Sequence, residues 1–271
     1  MGYWTLDDIP WERFDRSKLD PDVVRIVKAA SLVEYNGGAY AHHLCRIFHD
    51  DVDFQRTAQR WGEEEIQHGW ALARWAALAD PSYDFNLAFG RFQAGYRIDF
   101  DSDASRRGSR SGEMIARCMV EVGTSSYYSA LRDGVQEPVL KEICRNIAAD
   151  EIRHYRLFFN NLGRYLERDQ FGLWQRLRVA LGRIAEAEDD ELAYAYYAAN
   201  ETSHPYDQRR YSRAYARRAL ALYQEHHVRR MITLVFKAVG LSPRSRLARA
   251  ASRLVWRAMR YKLTRLARVA A

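Results

Sequence analysis

Cysteine, proline and glycine are all scarce in this 271-residue chain. There are three Cys, six Pro and 15 Gly. Cys45, Cys118 and Cys144 are odd in number and widely spaced, which excludes a disulfide framework and predicts reduced, buried small side chains. So few turn-formers exclude a strand-and-turn protein or a collagenous one; long uninterrupted helices are expected. No apolar run reaches the ~18 residues that span a bilayer. The opening Met1-Gly-Tyr-Trp-Thr-Leu-Asp-Asp has no basic flank followed by an apolar stretch, so no secretory leader is expected and the cytoplasm is the expected compartment. Acid is missing from one region only. Residues 201–271 hold 17 Lys/Arg against Glu201, Asp207 and Glu225, while the remainder holds 25 against 32 acids. The net charge of +7 therefore joins an acidic body to a basic tail.

Helical periodicity starts at Pro21, with Asp20 as its cap, and runs on through Leu44, Ile47 and Phe48 to a break at His49-Asp50-Asp51. A second helix is expected over Val52–Ala79, stopped by Asp80-Pro81. A shorter one over Asn86–Tyr96 and a polar, mobile loop over Asp99–Gly112 follow. Glu113–Arg132 and Pro138–Glu167 read as two more long helices, joined across Asp133-Gly134. Later helices are expected at 171–200, 206–238 and 245–268. Residues 1–20 read as irregular, and no good strand candidate exists.

Two Glu-x-x-His sequences, Glu65-Ile-Gln-His68 and Glu151-Ile-Arg-His154, lie inside the long helices. Positions i and i+3 share a helix face, so each pair can offer a carboxylate and an imidazole to one metal ion. Carboxylate-bridged di-iron bundles add one Glu from another helix to each such motif. Glu34 and Glu121 stand upstream at matching distances. In an antiparallel hairpin, residues at equal height are equidistant from the turn. The midpoint of 34 and 65 falls within His49-Asp50-Asp51, and that of 121 and 151 falls within Asp133–Pro138. Each Glu is then about 15 residues, or ~23 Å, from its turn. Two like hairpins would set four Glu and two His at one level.

Glu201-Thr-Ser-His204 is a third such motif, but it runs into Pro205, lacks a partner Glu at hairpin spacing and reads as a helix-end surface pair. Glu64 and Asp150 precede the two ligand motifs. Metal-bound imidazoles give their other N–H to a carboxylate, so Asp150 is expected on His68 and Glu64 on His154, across the bundle. Gly37-Gly38 after Glu34 and Gly123-Thr124-Ser125-Ser126 after Glu121 admit a close helix crossing or room beside a metal. Thr124, one turn from Glu121, could pass a proton. Trp61, one turn before Glu65, is core or an electron relay. His42, His43, His226 and His227 have no carboxylate at ligand spacing and read as surface or supporting groups.

Trp61-x-x-Glu64-Glu65-x-x-His68-Gly69 resembles the Trp-x-x-Glu-Glu-Asn-Arg-His-Gly of the soluble acyl-carrier-protein (acyl-ACP) desaturases of the ferritin-like superfamily. The stretch Ile143–His154 resembles that family's second metal helix, and Glu121-x-x-Thr124 its Glu-Arg-Ala-Thr. The resemblance covers roughly residues 20–170. It implies a ferritin-like four-helix bundle; with the helical periodicity on either side, the expectation is an all-α fold, with the bundle and flanking helices within 1–200 and a basic helical C-terminal extension over 201–271. It implies two iron ions held by Glu34, Glu65, His68, Glu121, Glu151 and His154, with Glu65 and Glu151 bridging. The activity implied is O2-dependent oxidation of an unactivated C–H bond of an acyl chain, in fatty acid metabolism. The alternatives are a di-iron hydroxylase or N-oxygenase of another small molecule, or a non-enzymatic iron-binding protein.

No nucleotide or flavin fingerprint is visible, so an external electron donor is expected. Residues 244–268 carry nine Lys/Arg and no acid, interleaved with Leu247, Leu254, Val255, Ala258, Leu263 and Leu266. Such a helix suits an acidic acyl carrier protein, an anionic membrane surface or packing on the acidic body, and nucleic acid least. A peripheral site at the inner membrane surface and a homodimer are both compatible with the sequence.

Overall fold

The computed structural model describes residues 3–96, 104–186, 190–201 and 203–270. The described residues form α-helices and short 3-10 turns, with no strand among them. Three 3-10 turns, Leu6–Asp8, Trp11–Arg13 and Arg16–Lys18, carry the chain into α1, Pro21–Tyr35. Helices α2 (Gly37–Ile47), α3 (Val52–Ala79), α4 (Phe85–Gly95), α5 (Arg110–Gly134) and α6 (Pro138–Leu166) follow. The remainder are α7 (Leu173–Ala185), α8 (Asp190–Asn200), α9 (Gln208–Ala221), α10 (Glu225–Val239) and α11 (Arg246–Ala270).

Helix starts follow local chemistry. Asp20, Asp51, Asp84 and Asp207 each accept a hydrogen bond from a backbone N–H of the first turn, and Pro occupies the first turn of α1 and α6. Glu137 caps α6 through Leu140 N at 2.8 Å and also accepts from Trp75 Nε1 at 2.6 Å, tying the α5–α6 turn to α3. Ser109 caps α5, so that helix starts three residues ahead of the expected Glu113. Residues 99–103 of the expected loop lie outside the described residues.

The single helix expected from Pro21 to Phe48 is instead two, parted at Asn36. Asn36 N–H reaches both Leu32 O and Val33 O at 3.2 Å, and α2 restarts on Gly37. The break lets α1 and α2 follow α3 at very short range. A Cβ on Gly37 would overlap Glu65 Cβ, one on Gly62 would sit 2.5 Å from Ala41 Cβ, and one on Gly69 would sit 2.5 Å from Tyr35 N. The small residues therefore serve close crossing here, whereas a Cβ on Gly123 would meet nothing within 4 Å. The helix expected over 171–200 is likewise α7 and α8, with residues 187–189 between them outside the described residues. That over 206–238 is α9 and α10, parted at Leu222–Gln224.

The α1/α2–α3 and α5–α6 hairpins pack together as a bundle. Helix α8 lies on α1 and α4, α9 on α8 and α1, α10 on α5 and α7, and α11 on α10 and α9. The bundle core is split in two. One part holds Ile26, Leu32, Leu72, Trp75, Leu131 and Ile143; the other holds Leu44, Phe48, Phe54, Cys118, Phe158 and Leu162. Each buried side chain of this size contributes about 1.5–3 kcal/mol. Polar residues of all four long segments meet in the layer between these parts. No helix among the described residues is long and apolar enough to cross a membrane.

Candidate metal centre

Glu34 stands at the end of α1, Glu65 and His68 in α3, Glu121 in α5, and Glu151 and His154 in α6. All six are buried, none more than 7% exposed. They form two donor sets: Glu34, Glu65, His68 and Glu151, and Glu65, Glu121, Glu151 and His154. Within each set the ligand atoms lie within 4.8 Å of one another, and both sets use Glu65 and Glu151. His68 Nδ1 is 3.5 Å from Glu34, 3.7 Å from Glu65 and 3.4 Å from Glu151. His154 Nδ1 is 3.0 Å from Glu65, 3.6 Å from Glu121 and 3.9 Å from Glu151. The two rings are 5.8 Å apart.

The outer nitrogens are held by the two expected acids. His68 Nε2 meets Asp150 Oδ2 at 3.1 Å, and His154 Nε2 meets Glu64 Oε2 at 2.8 Å. Arg153 bridges these acids, bonding Asp150 and, at 2.9 Å, Glu64. Thr124 Oγ1 donates to Glu151 Oε2 at 2.6 Å, and Trp61 stands edge-on to His154 with ring centroids 6.4 Å apart.

Two supporting residues escaped sequence reasoning. Trp4 donates to Asp150 at 2.7 Å and stacks on His68 at 6.0 Å between centroids. It lies in the N-terminal stretch read as irregular, and nothing local signals the contact. Tyr128 OH donates to Glu34 Oε1 at 2.6 Å. Its place two turns after Glu121 on the same face was the available signal.

Burial and mutual repulsion govern the protons. Burial, then the charge of Glu65, pushes Glu34 up to about 8. Burial raises Glu121 well above the ordinary carboxylate range, with Glu151 adding to it, and burial with the charge of Glu65 raises Glu151. For Glu65 burial pushes upward, but His154 and His68 outweigh it and hold the carboxyl well below that range. Burial lowers both imidazoles, yet their surrounding carboxylates raise them well above the ordinary value.

Four carboxylates crowded in a buried layer call for positive charge. Two divalent ions would neutralise them while the imidazoles release their protons. The unmet donors agree with that. Among the described residues, His68 Nδ1, His154 Nδ1, Glu121 Oε1 and Glu151 Oε1 are buried without a hydrogen bond. Unpartnered buried polar atoms are costly, and these belong to the metal-facing donor sets. Oxygen and imidazole donors without thiolate suit a hard or borderline ion such as iron. The residues present fit such a pair.

The other candidates lie elsewhere. Glu201 and His204 are 3.5 Å apart, His204 is well exposed, and neither belongs to the two sets; Thr202 lies outside the described residues. His42 and His43 are on α2 and in neither set. His226 and His227, without a carboxylate at ligand spacing in the sequence, meet one in space: Asp133 Oδ2 is 3.4 Å from His226 Nε2 and 3.0 Å from His227 Nε2. Helix α10 folds back on the end of α5 and closes a gap of over 90 residues. Gln224 N–H donates to His227 Nδ1 at 3.0 Å, so this imidazole caps α10.

No protein-family model matches the chain, and no curated protein matches it.

Proposed function

We propose that this chain is an O2-dependent di-iron oxidoreductase that oxidises an unactivated C–H bond of an acyl chain. One observation carries the reading: two buried donor sets share Glu65 and Glu151, the arrangement a bridged pair of ions requires. The acyl substrate rests on the resemblance of residues 61–69 and 143–154 to acyl-ACP desaturases. The ions, once bound, would activate O2 as the oxidant, chemistry that no side chain supplies.

The chain's own residues supply order, dryness and protons. Asp150 and Glu64 accept from the Nε2 atoms, which fixes each ring with Nδ1 inward. Trp4, stacked on His68, and Tyr128, bonded to Glu34, lock two ligands further. Apolar clusters on both sides keep bulk water out of the layer. Thr124 holds a proton on Oγ1, directed at Glu151. Trp61, edge-on to both His154 and Phe158, would relay an electron from an external donor.

Anaerobic Fe(II) titration tests the metal reading, with saturation at about two ions per chain expected. Mass analysis of acyl-ACP products after O2 and reductant tests the reaction. Loss of two hydrogens supports desaturation. Added oxygen assigns hydroxylation instead. No reaction of any acyl carrier substrate, with two irons bound, removes the acyl chain from the reading.

A further inference from the structure

The charge excess of the tail is concentrated on one helix face. Glu225 is the last acid of the chain, and residues 226–271 carry twelve Lys/Arg. Helix α11 turns Ala248, Val255, Trp256 and Met259 inward, against Val228, Ile232 and Phe236 of α10. At 3.6 residues per turn, Arg246, Arg249, Arg253, Arg257, Arg260 and Arg268 fall within an arc of about 100° on the opposite side. All six are exposed.

Packing on the acidic body does not account for them. Among the described residues no carboxylate forms an ion pair with any of the six; the one partner shown is the Trp256 ring, 5.8 Å from the Arg260 guanidinium. The arc also has an apolar edge. Leu247, Leu254 and Tyr261 recur every seven residues, within about 40° of one another. They are 61%, 69% and 67% exposed. Large apolar side chains in such a line, beside unpaired cations, leave two needs unmet at once.

We infer that the outer face of α11 docks this protein on an anionic phospholipid surface. Arginine stems would run along the interface with their guanidinium groups among the phosphates. Leu247, Leu254 and Tyr261 would enter the boundary between headgroups and acyl chains. A nucleic-acid backbone would neutralise the arginines but has no layer of hydrocarbon along the charge for the apolar edge to enter. An acidic protein would have to match a line of three apolar side chains with a groove of its own, whereas a phospholipid surface offers phosphate and hydrocarbon along the whole helix. The association is peripheral and reversible, since the inner face stays on α10. The inference stands apart from the metal centre and from any reaction there.

The test is co-sedimentation of the full chain with phosphatidylcholine vesicles, with and without phosphatidylglycerol. Binding is expected only with the anionic lipid, and it should fall steeply toward 1 M salt, where the screening length is about 3 Å. Each cation near an anionic leaflet contributes roughly five-fold. R249Q/R253Q/R257Q together should therefore weaken binding about a hundredfold. L247S/L254S/Y261S keeps every charge and should also weaken it, by about tenfold or more. All six positions are solvent-facing, so circular dichroism should show both variants as helical as the parent. Equal binding to neutral vesicles would overturn the inference. So would unchanged binding of the Leu/Tyr variant, or tighter capture by duplex DNA or an acidic acyl carrier protein than by the vesicles.

Discussion

Loading the paired donor sets should stabilise the whole fold by an amount that counts the sites. A ligand at a hundred times its dissociation constant adds about 2.7 kcal/mol per site. Two sites of equal affinity add about 5 kcal/mol. Unfolding entropy near the midpoint is about 2.1 cal/mol/K per residue, or roughly 0.6 kcal/mol/K for 271 residues. The thermal midpoint should then rise by about 10 °C for two ions and about 5 °C for one. Scanning calorimetry under anaerobic conditions, with Fe(II) against chelator, reads this directly. Glu151→Gln keeps the shape and the acceptor for Thr124 but removes a charge shared by both sets. It should reduce the shift to less than half, because both ions lose a ligand. The imidazole protons must leave for metal to bind, so titration in buffers of different ionisation enthalpy should show proton release. An absent shift, or an equal shift in His68→Ala/His154→Ala, would refute the reasoning. His204→Ala should leave the shift intact.

Three further outcomes are expected. Asp150→Asn and Glu64→Gln, each taking a carboxylate from a ligand imidazole, should lower Fe(II) affinity about 10–100-fold with helical content unchanged, as read by metal titration and circular dichroism. Gly69→Ala should cost about 1–3 kcal/mol in chemical denaturation, since its Cβ would stand 2.5 Å from the Tyr35 backbone nitrogen, which cannot swing aside. The Lys28–Asp80 pair, 2.5 Å apart, gives an acid dependence: the hydrogen bond from Lys28 holds Asp80 down at about 2. An aspartate lower in the folded than the unfolded state stabilises above the ordinary value and loses that as pH falls. Stability should thus drop between about pH 4 and pH 2 by more in the parent than in Asp80→Asn.

Much of the centre is legible because helical chemistry is local. Asp20-Pro21, Asp51 and Glu137-Pro138 mark helix starts through bonds to residues two or three places on, and the chain carries those bonds wherever it folds. The i, i+3 spacing puts Glu65 with His68, and Glu151 with His154, on single faces before any tertiary contact forms. Hairpin symmetry adds Glu34 and Glu121, because a rigid rise per residue turns sequence distance into height. Antiparallel heights also put Asp150 opposite His68 and Glu64 opposite His154.

What the tertiary structure decided lies between elements with no shared period. On either side of the Asn36 break, Gly37, Gly62 and Gly69 let α1 and α2 lie against α3 at distances that a Cβ would not allow, a fit set by the partner helix and not by the local pattern. Trp4 reaches Asp150 across 146 residues, and Asp133 reaches His227 across 94; neither spacing leaves a mark in local pattern. The tail is the plainest case. Its composition states that twelve cations meet no acid after Glu225, but pairing with the body, burial and exposure all satisfy that statement equally. Only the packing of α11 on α10 selects which face turns inward, because the helix has apolar residues on two sides and buries one of them.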